Sequence, residues 1–168
     1  QSGGLEVNLD DRLVNLENRK RALEMELEKA ASELLDHIRA SRDGRGRMIA
    51  GFAETAEPVS DKIEKFEGEI KLIRDDLAAI RDALGNYKSV NELWLEIKRL
   101  QSRLETARRN VIRAREIAAR EGVEPDQIMK HKRVAEAQSV LDRVEADSAL
   151  ENLRARFKSI KSILNKYD

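Results

Sequence analysis

There is no cysteine in this 168-residue chain. That single absence removes structural disulfides, thiolate metal sites and cysteine nucleophiles together. Aromatic residues are scarce, with one Trp, two Tyr and three Phe. Strands draw on β-branched and aromatic side chains, so this poverty argues against sheet. Two prolines and eight glycines leave long stretches in which nothing interrupts a helix. No apolar run approaches the roughly 18 residues of a bilayer-spanning helix, and no secretory signal pattern is present. Net charge is missing as well: 32 Lys and Arg balance 32 Asp and Glu. Dedicated nucleic-acid binders usually carry a basic excess, so nucleic acid is not an expected partner. Taken together, these absences lead to the expectation of a cytoplasmic protein.

What is abundant is charge, at 38% of residues against a norm of about 25%. An excess of Ala, Glu, Lys, Leu and Arg with few aromatics is the composition of long helices. The opening Gln1-Ser2-Gly3-Gly4 reads as a tag or linker remnant. Residues 5–168 then read as one helical domain, a fragment of something longer.

Apolar residues recur at steps of three and four. The first seam runs Leu9, Leu13, Leu16, Lys20, Leu23, Leu27, Ala30, Leu34 and His37. The second runs Val59, Ile63, Phe66, Ile70, Ile73, Leu77, Ile80 and Leu84. The third runs Val90, Leu93, Ile97, Leu100, Leu104, Ala107, Val111, Ala114 and Ala118. Sustained over three or more heptads, the pattern predicts coiled-coil packing. Lys20 and His37 are polar where leucine is expected, a device that can set register or oligomer state.

Breaks divide the seams. Gly44, Gly46 and Gly51 follow the first, and Pro58 stands where a first helical residue would sit. Gly85 follows the second as a helix stop. Ser89 with Glu92 then forms a capping-box start. Gly122 and Pro125 repeat the stop-and-start signature. In the last segment Val134, Ala137, Leu141 and Val144 hold one phase, while Leu150, Leu153, Phe157, Ile160, Leu164 and Tyr167 hold another. The switch falls at Asp147-Ser148, where Ser148 and Glu151 offer a second capping box. A true break and a local change in supercoil both fit that pattern. The expected fold is all-α, with antiparallel helical hairpins, coiled-coil seams and an elongated three- or four-helix bundle. Its helices span about 8–42, 58–84, 89–121 and 125–166. Short connections predict that helices two and three, and three and four, are hairpin partners. The first helix either folds back onto them or pairs with another chain.

Several stretches are candidates for contact with a partner. Arg39, Arg42, Arg45 and Arg47 cluster around a glycine-rich loop that continues into Met48, Ile49 and Phe52. Basic residues beside apolar ones suit an anionic membrane surface or a partner groove. The competing reading is that the apolar three cap the bundle end. The loop's Gly-x-Gly lacks the Gly-Lys-Ser/Thr ending of a phosphate loop. Trp94 lies beside the third seam, as a packing anchor or an interface contact. From Lys98 to Arg120 the third helix carries eight basic residues against Glu105 and Glu116. Arg103, Arg108, Arg109, Arg113 and Arg115 form a candidate anion-binding face. Glu54 to Glu69 holds six carboxylates and two lysines, so the two stretches are expected to complement each other across a hairpin.

Catalytic patterns are not found. The histidines, His37 and His131, lack the Glu-x-x-His of di-iron bundles and the His-Glu-x-x-His of zinc sites. There is no Gly-x-Ser-x-Gly elbow. The sequence therefore predicts a non-catalytic coiled-coil scaffold or protein–protein interaction module, self-associating, with no cofactor or metal. The alternatives are a peripheral membrane-binding helical protein and a four-helix sensory module.

Overall fold

The computed structural model describes the backbone of residues 2–40 and 52–168 and the side chains of 9–40 and 56–168. Five α-helices are present among the described residues: α1 Ser2–Ala40, α2 Phe52–Leu84, α3 Val90–Arg120, α4 Lys132–Ala146 and α5 Ala149–Asn165. A 3-10 turn, Ile128–Lys130, precedes α4. There is no strand among the described residues, so the class is all-α. The Ser2–Gly4 stretch, read above as a linker remnant, is helical.

The seams coincide with burial. Leu9, Leu16, Ala30, Val59, Ile73, Ile80, Leu84, Val90, Leu93, Ile97, Ala107, Val111 and Ala118 are buried. The two polar positions, Lys20 and His37, are half-buried. Lys20 Nζ lies 3.5 Å from Glu24 Oε1, and His37 Nε2 lies 3.9 Å from Glu33 Oε1.

Local chemistry sets most helix ends. At the start of α3, Ser89 Oγ accepts from Glu92 N–H at 3.0 Å. Glu92 reaches back to accept from Lys88 N–H at 2.6 Å, one residue before the cap. After α2, Gly85 takes φ +58°, a left-handed turn that glycine enters without Cβ strain. After α3, Gly122 donates to Ala119 O and Val123 to Ala118 O, both at 3.1 Å. That pair of bonds is a Schellman stop.

Three helix ends differ from expectation, the first being the start of α4, which lies at Lys132 after a 3-10 turn and not near Pro125. Pro58 is not a first residue, because α2 begins at Phe52 and Pro58 lies inside it. The proline forgoes its bond to the carbonyl of residue 54, but Ala56, upstream of it, is only 7% exposed. Burial of Ala56 offsets part of the local cost. The last predicted helix is two helices. Asp147 is extended, with φ −74° and ψ 117°. Asp147 Oδ1, and not Ser148, accepts from Ala149 N–H, at 3.0 Å. The phase switch is a true break.

The largest difference is topological. α2 and α3 do not form a hairpin, for they share almost no lateral contact. The hairpins are α1 with α2 and α3 with α4, the two most extensive helix pairs. α5 fixes how the hairpins join. Its Arg156 meets Ala83 and Leu84, and its Tyr167 meets Asp76, so α5 runs antiparallel to α2. Phe157 also meets Trp94, and Leu150 borders the same groove as Leu100, so α5 runs antiparallel to α3 as well. Hence α2 and α3 point the same way and lie end to end, with α5 as a splint. α1 splints the joint too, since Asp10 reaches the first residues of α3. At 1.5 Å per residue the tandem α2–α3 track is roughly 100 Å long.

The main core lies at this joint. Ile73, Ile80, Leu93, Ile97, Ile160 and Leu164 are at most 2% exposed and belong to one cluster drawn from α1, α2, α3 and α5. Each such side chain contributes about 1.5–3 kcal/mol on burial. Beyond the joint two-helix arms extend on either side. The α3/α4 arm has a small cluster of Ala107, Val111 and Leu141. In the α1/α2 arm Leu27, Leu34, Ile63, Phe66 and Ile70 are only half-buried, because two helices cover each other from one side alone.

Candidate interaction faces

The sequence candidates separate once they are placed on this frame. Arg39 is exposed in the last turn of α1. Arg42, Arg45, Arg47, Met48 and Ile49 lie outside the described residues, and Phe52 is the first residue of α2. Trp94 is half-buried at the joint. Its ring stacks on Phe157 with centroids 5.1 Å apart and planes tilted by 33°. Lys98 Nζ sits 4.4 Å above it.

The basic residues of α3 do not form one face. A helix of 3.6 residues per turn distributes them around its circumference. Arg103 and Arg108 border a groove of about 490 Å³ at the α4–α5 break. Arg143 and Arg154 join them there, against Glu145, Asp147 and Glu151. Arg109 and Arg113 lie elsewhere, flanking Ile112. Arg115 is exposed. Arg108 pairs with Glu145 of α4 at 3.8 Å.

The expected pairing of residues 54–69 with 98–120 does not occur. With α2 and α3 end to end, the acidic stretch belongs to one arm and the basic stretch to the other. The reason is the position of α5. It supplies apolar cover to the ends of both helices, so α3 has no need to fold back on α2.

Sequence reasoning missed the polar contacts that hold the joint. Asp10 Oδ1 accepts from Val90 N–H at 2.8 Å and Oδ2 from Asn91 N–H at 2.9 Å. A carboxylate from α1 thus caps α3, where the helix dipole favours negative charge. Arg156 does the converse for α2. Its Nε donates to Ala83 O at 2.6 Å and its Nη2 to Leu84 O at 2.9 Å, with the guanidinium 5.6 Å from the Tyr87 ring centre.

At the far end of α5, Tyr167 Oη donates to Asp76 Oδ2, and Lys166 Nζ lies 3.3 Å from Asp76 Oδ1. Asp76 is 8% exposed, so a buried carboxylate here is hydrogen-bonded and ion-paired, as burial of charge demands. Arg12 Nη2 bonds Asn165 Oδ1 at 2.9 Å and Asp168 Oδ1 at 2.7 Å. Burial, followed by the hydrogen bond to Asp76, pushes the Tyr167 phenol up to about 12. Nothing local marks Asp10, Asp76 or Arg156 in a chain this rich in charge. Each matters through a partner at least 72 residues away.

No cluster of three or more His, Asp or Glu side chains suited to a metal ion occurs among the described residues. None of the described helices is long and apolar enough to cross a membrane. No family model, no curated protein and no solved structure matches the chain.

Proposed function

We propose that this chain is a non-catalytic coiled-coil scaffold, a protein–protein interaction module that self-associates through its arms. The observation that carries this reading is the incomplete burial of the arms. In the α1/α2 arm Leu27, Leu34, Ile63, Phe66 and Ile70 stay half-buried along an unbroken three-four seam. Apolar surface removed from water stabilises by about 25 cal/mol per Å². An additional helix laid along such an arm therefore gains what α5 already gains by covering the α2–α3 track at the joint. Sedimentation equilibrium of the chain tests the reading. Association at micromolar concentration is expected, and a strict monomer at high micromolar concentration overturns it.

Peripheral binding to anionic lipid is a second reading, favoured by Ile112, which is 55% exposed between Arg109 and Arg113. Co-sedimentation with liposomes, with and without anionic lipid, separates the two. Absence of lipid-dependent pelleting at low salt removes the lipid reading.

A further inference from the structure

The arms carry opposite charge, and the fold holds them apart. In the α1/α2 arm, residues 24–40 and 56–70 contain ten carboxylates against four lysines and arginines. In α3, residues 98–120 contain eight lysines and arginines against two glutamates. The chain is neutral as a whole, yet it is a rod with an acidic arm and a basic helix on the opposite side of the joint. Among the described residues each charge is answered only in part, by pairs such as Lys20–Glu24 and Arg108–Glu145. Arg103, Arg109, Arg113 and Arg115 make no ion pair with another described residue, and neither do Glu26 and Glu28.

Each charged surface also exposes an apolar side chain. Met25, 69% exposed, shares a shallow surface with Glu26 and Glu28. Ile112, 55% exposed, shares one with Arg109 and Arg113. An apolar centre within a polar rim is the anatomy of a protein interface, and here the two rims have opposite net sign, with Lys29 among the carboxylates of one and Glu116 among the arginines of the other.

The geometry points to a second copy of this chain as the occupant of the α3 surface around Arg109, Ile112 and Arg113, docked through its acidic α1/α2 arm. This deepens the self-association reading and rests on it. An anionic membrane would attract α3 while repelling the other arm, whereas a second copy satisfies both surfaces. The contact joins two different patches, so it is heterologous. Each added copy leaves an acidic arm free at one end and a basic face free at the other. Such assembly continues as a filament or closes as a ring.

Sedimentation velocity on the 168-residue chain tests the inference, at about 50 mM and about 500 mM salt, where the screening length differs several-fold. A ladder of species at low salt that collapses to monomer at high salt is expected. Glu26→Lys with Glu28→Lys reverses the charge around Met25, and Arg109→Glu with Arg113→Glu reverses it around Ile112. All four positions are exposed, and circular dichroism checks that each variant keeps its helices. Each double variant alone is expected to associate roughly tenfold more weakly, and an equimolar mixture of the two to regain association. Recovery on mixing cannot come from misfolding. Association that ignores both salt and the reversals overturns the docking mode and leaves the scaffold reading standing. Failure of the mixture to recover overturns the docking mode as well. A strict monomer overturns both readings. Assembly that requires anionic vesicles assigns the α3 face to lipid and overturns the second-copy docking.

Discussion

Replacing Arg156 with alanine tests the joint between α2 and α3 at its most concentrated point. The guanidinium donates to two carbonyls at the end of α2, at 2.6 and 2.9 Å, and lies over Tyr87. Hydrogen bonds from a charged donor contribute about 1.5–3 kcal/mol each, and partial exposure of Arg156 pulls the sum down. Adding a cation–π contact of about 0.5–1 kcal/mol, we expect Arg156→Ala to cost about 2–4 kcal/mol. Urea unfolding followed by fluorescence of Trp94 reads the effect locally, since that residue stacks on Phe157 beside Arg156. Arg156→Lys should recover only part of the loss, because an ammonium lacks the planar fork that meets two carbonyls at once. Lys158→Ala, two residues away and exposed, is the control and should lie within about 0.5 kcal/mol of the parent.

Gly85 makes the test sharper. A Cβ built there falls 2.5 Å from Arg156 Nη2, and its φ of +58° strains any L side chain, at about 1–2 kcal/mol. Gly85→Ala should therefore cost less when Arg156 is already alanine, because the clash has gone and only the backbone strain remains. An Arg156→Ala cost no larger than that of Lys158→Ala, or strict additivity with Gly85→Ala, would refute the role assigned to this side chain.

Three further outcomes follow from the same geometry. Asp10→Ala removes both acceptors from the first turn of α3 and should lower stability by about 1–2 kcal/mol, measured by chemical denaturation. Asp147→Ala should cost about 1 kcal/mol as the loss of a helix cap, whereas Ser148→Ala, whose hydroxyl makes no capping bond, should be near neutral in the same assay; the reverse order would contradict the observed break. The Tyr167 phenol, raised from 10.0 to about 12 by burial and then by Asp76, keeps its proton in the folded state after the unfolded chain has lost it. Its contribution to stability is therefore intact below about pH 10 and disappears as the pH rises towards about 12. Tyr167→Phe should flatten that part of an alkaline unfolding curve, and an unchanged curve would show that the phenol does not carry it.

The local and the distant parts of this fold were not equally legible. Seam residues such as Ile73, Ile80, Leu93 and Ile97 show their burial in their spacing, because a helix repeats every 3.6 residues whatever surrounds it. Ser89, Gly85 and Gly122 show their roles for the same kind of reason, since caps and left-handed turns depend on a few neighbouring residues. Pro58 misled because a local rule was overridden by the packing of Ala56. Ser148 misled because Asp147, one residue earlier, has the better-placed oxygen. For the candidate faces, the charge of α3 was visible, but not its division between the groove at Arg103 and the outer surface at Arg109.

From its own order of residues, then, the chain determined long amphipathic helices, their seams and some of their ends, chiefly those of α3 and the end of α2. It did so because those features are set by interactions within about one helical turn. Tertiary structure alone decided that α2 and α3 run on end to end instead of folding together. That choice rests on α5 covering both helix ends and on Asp10 and Arg156 satisfying the backbone groups exposed at the joint. These are contacts between segments tens of residues apart, which no local pattern records. The same decision separated the acidic arm from the basic helix, and so turned a neutral sequence into a molecule with two unlike surfaces.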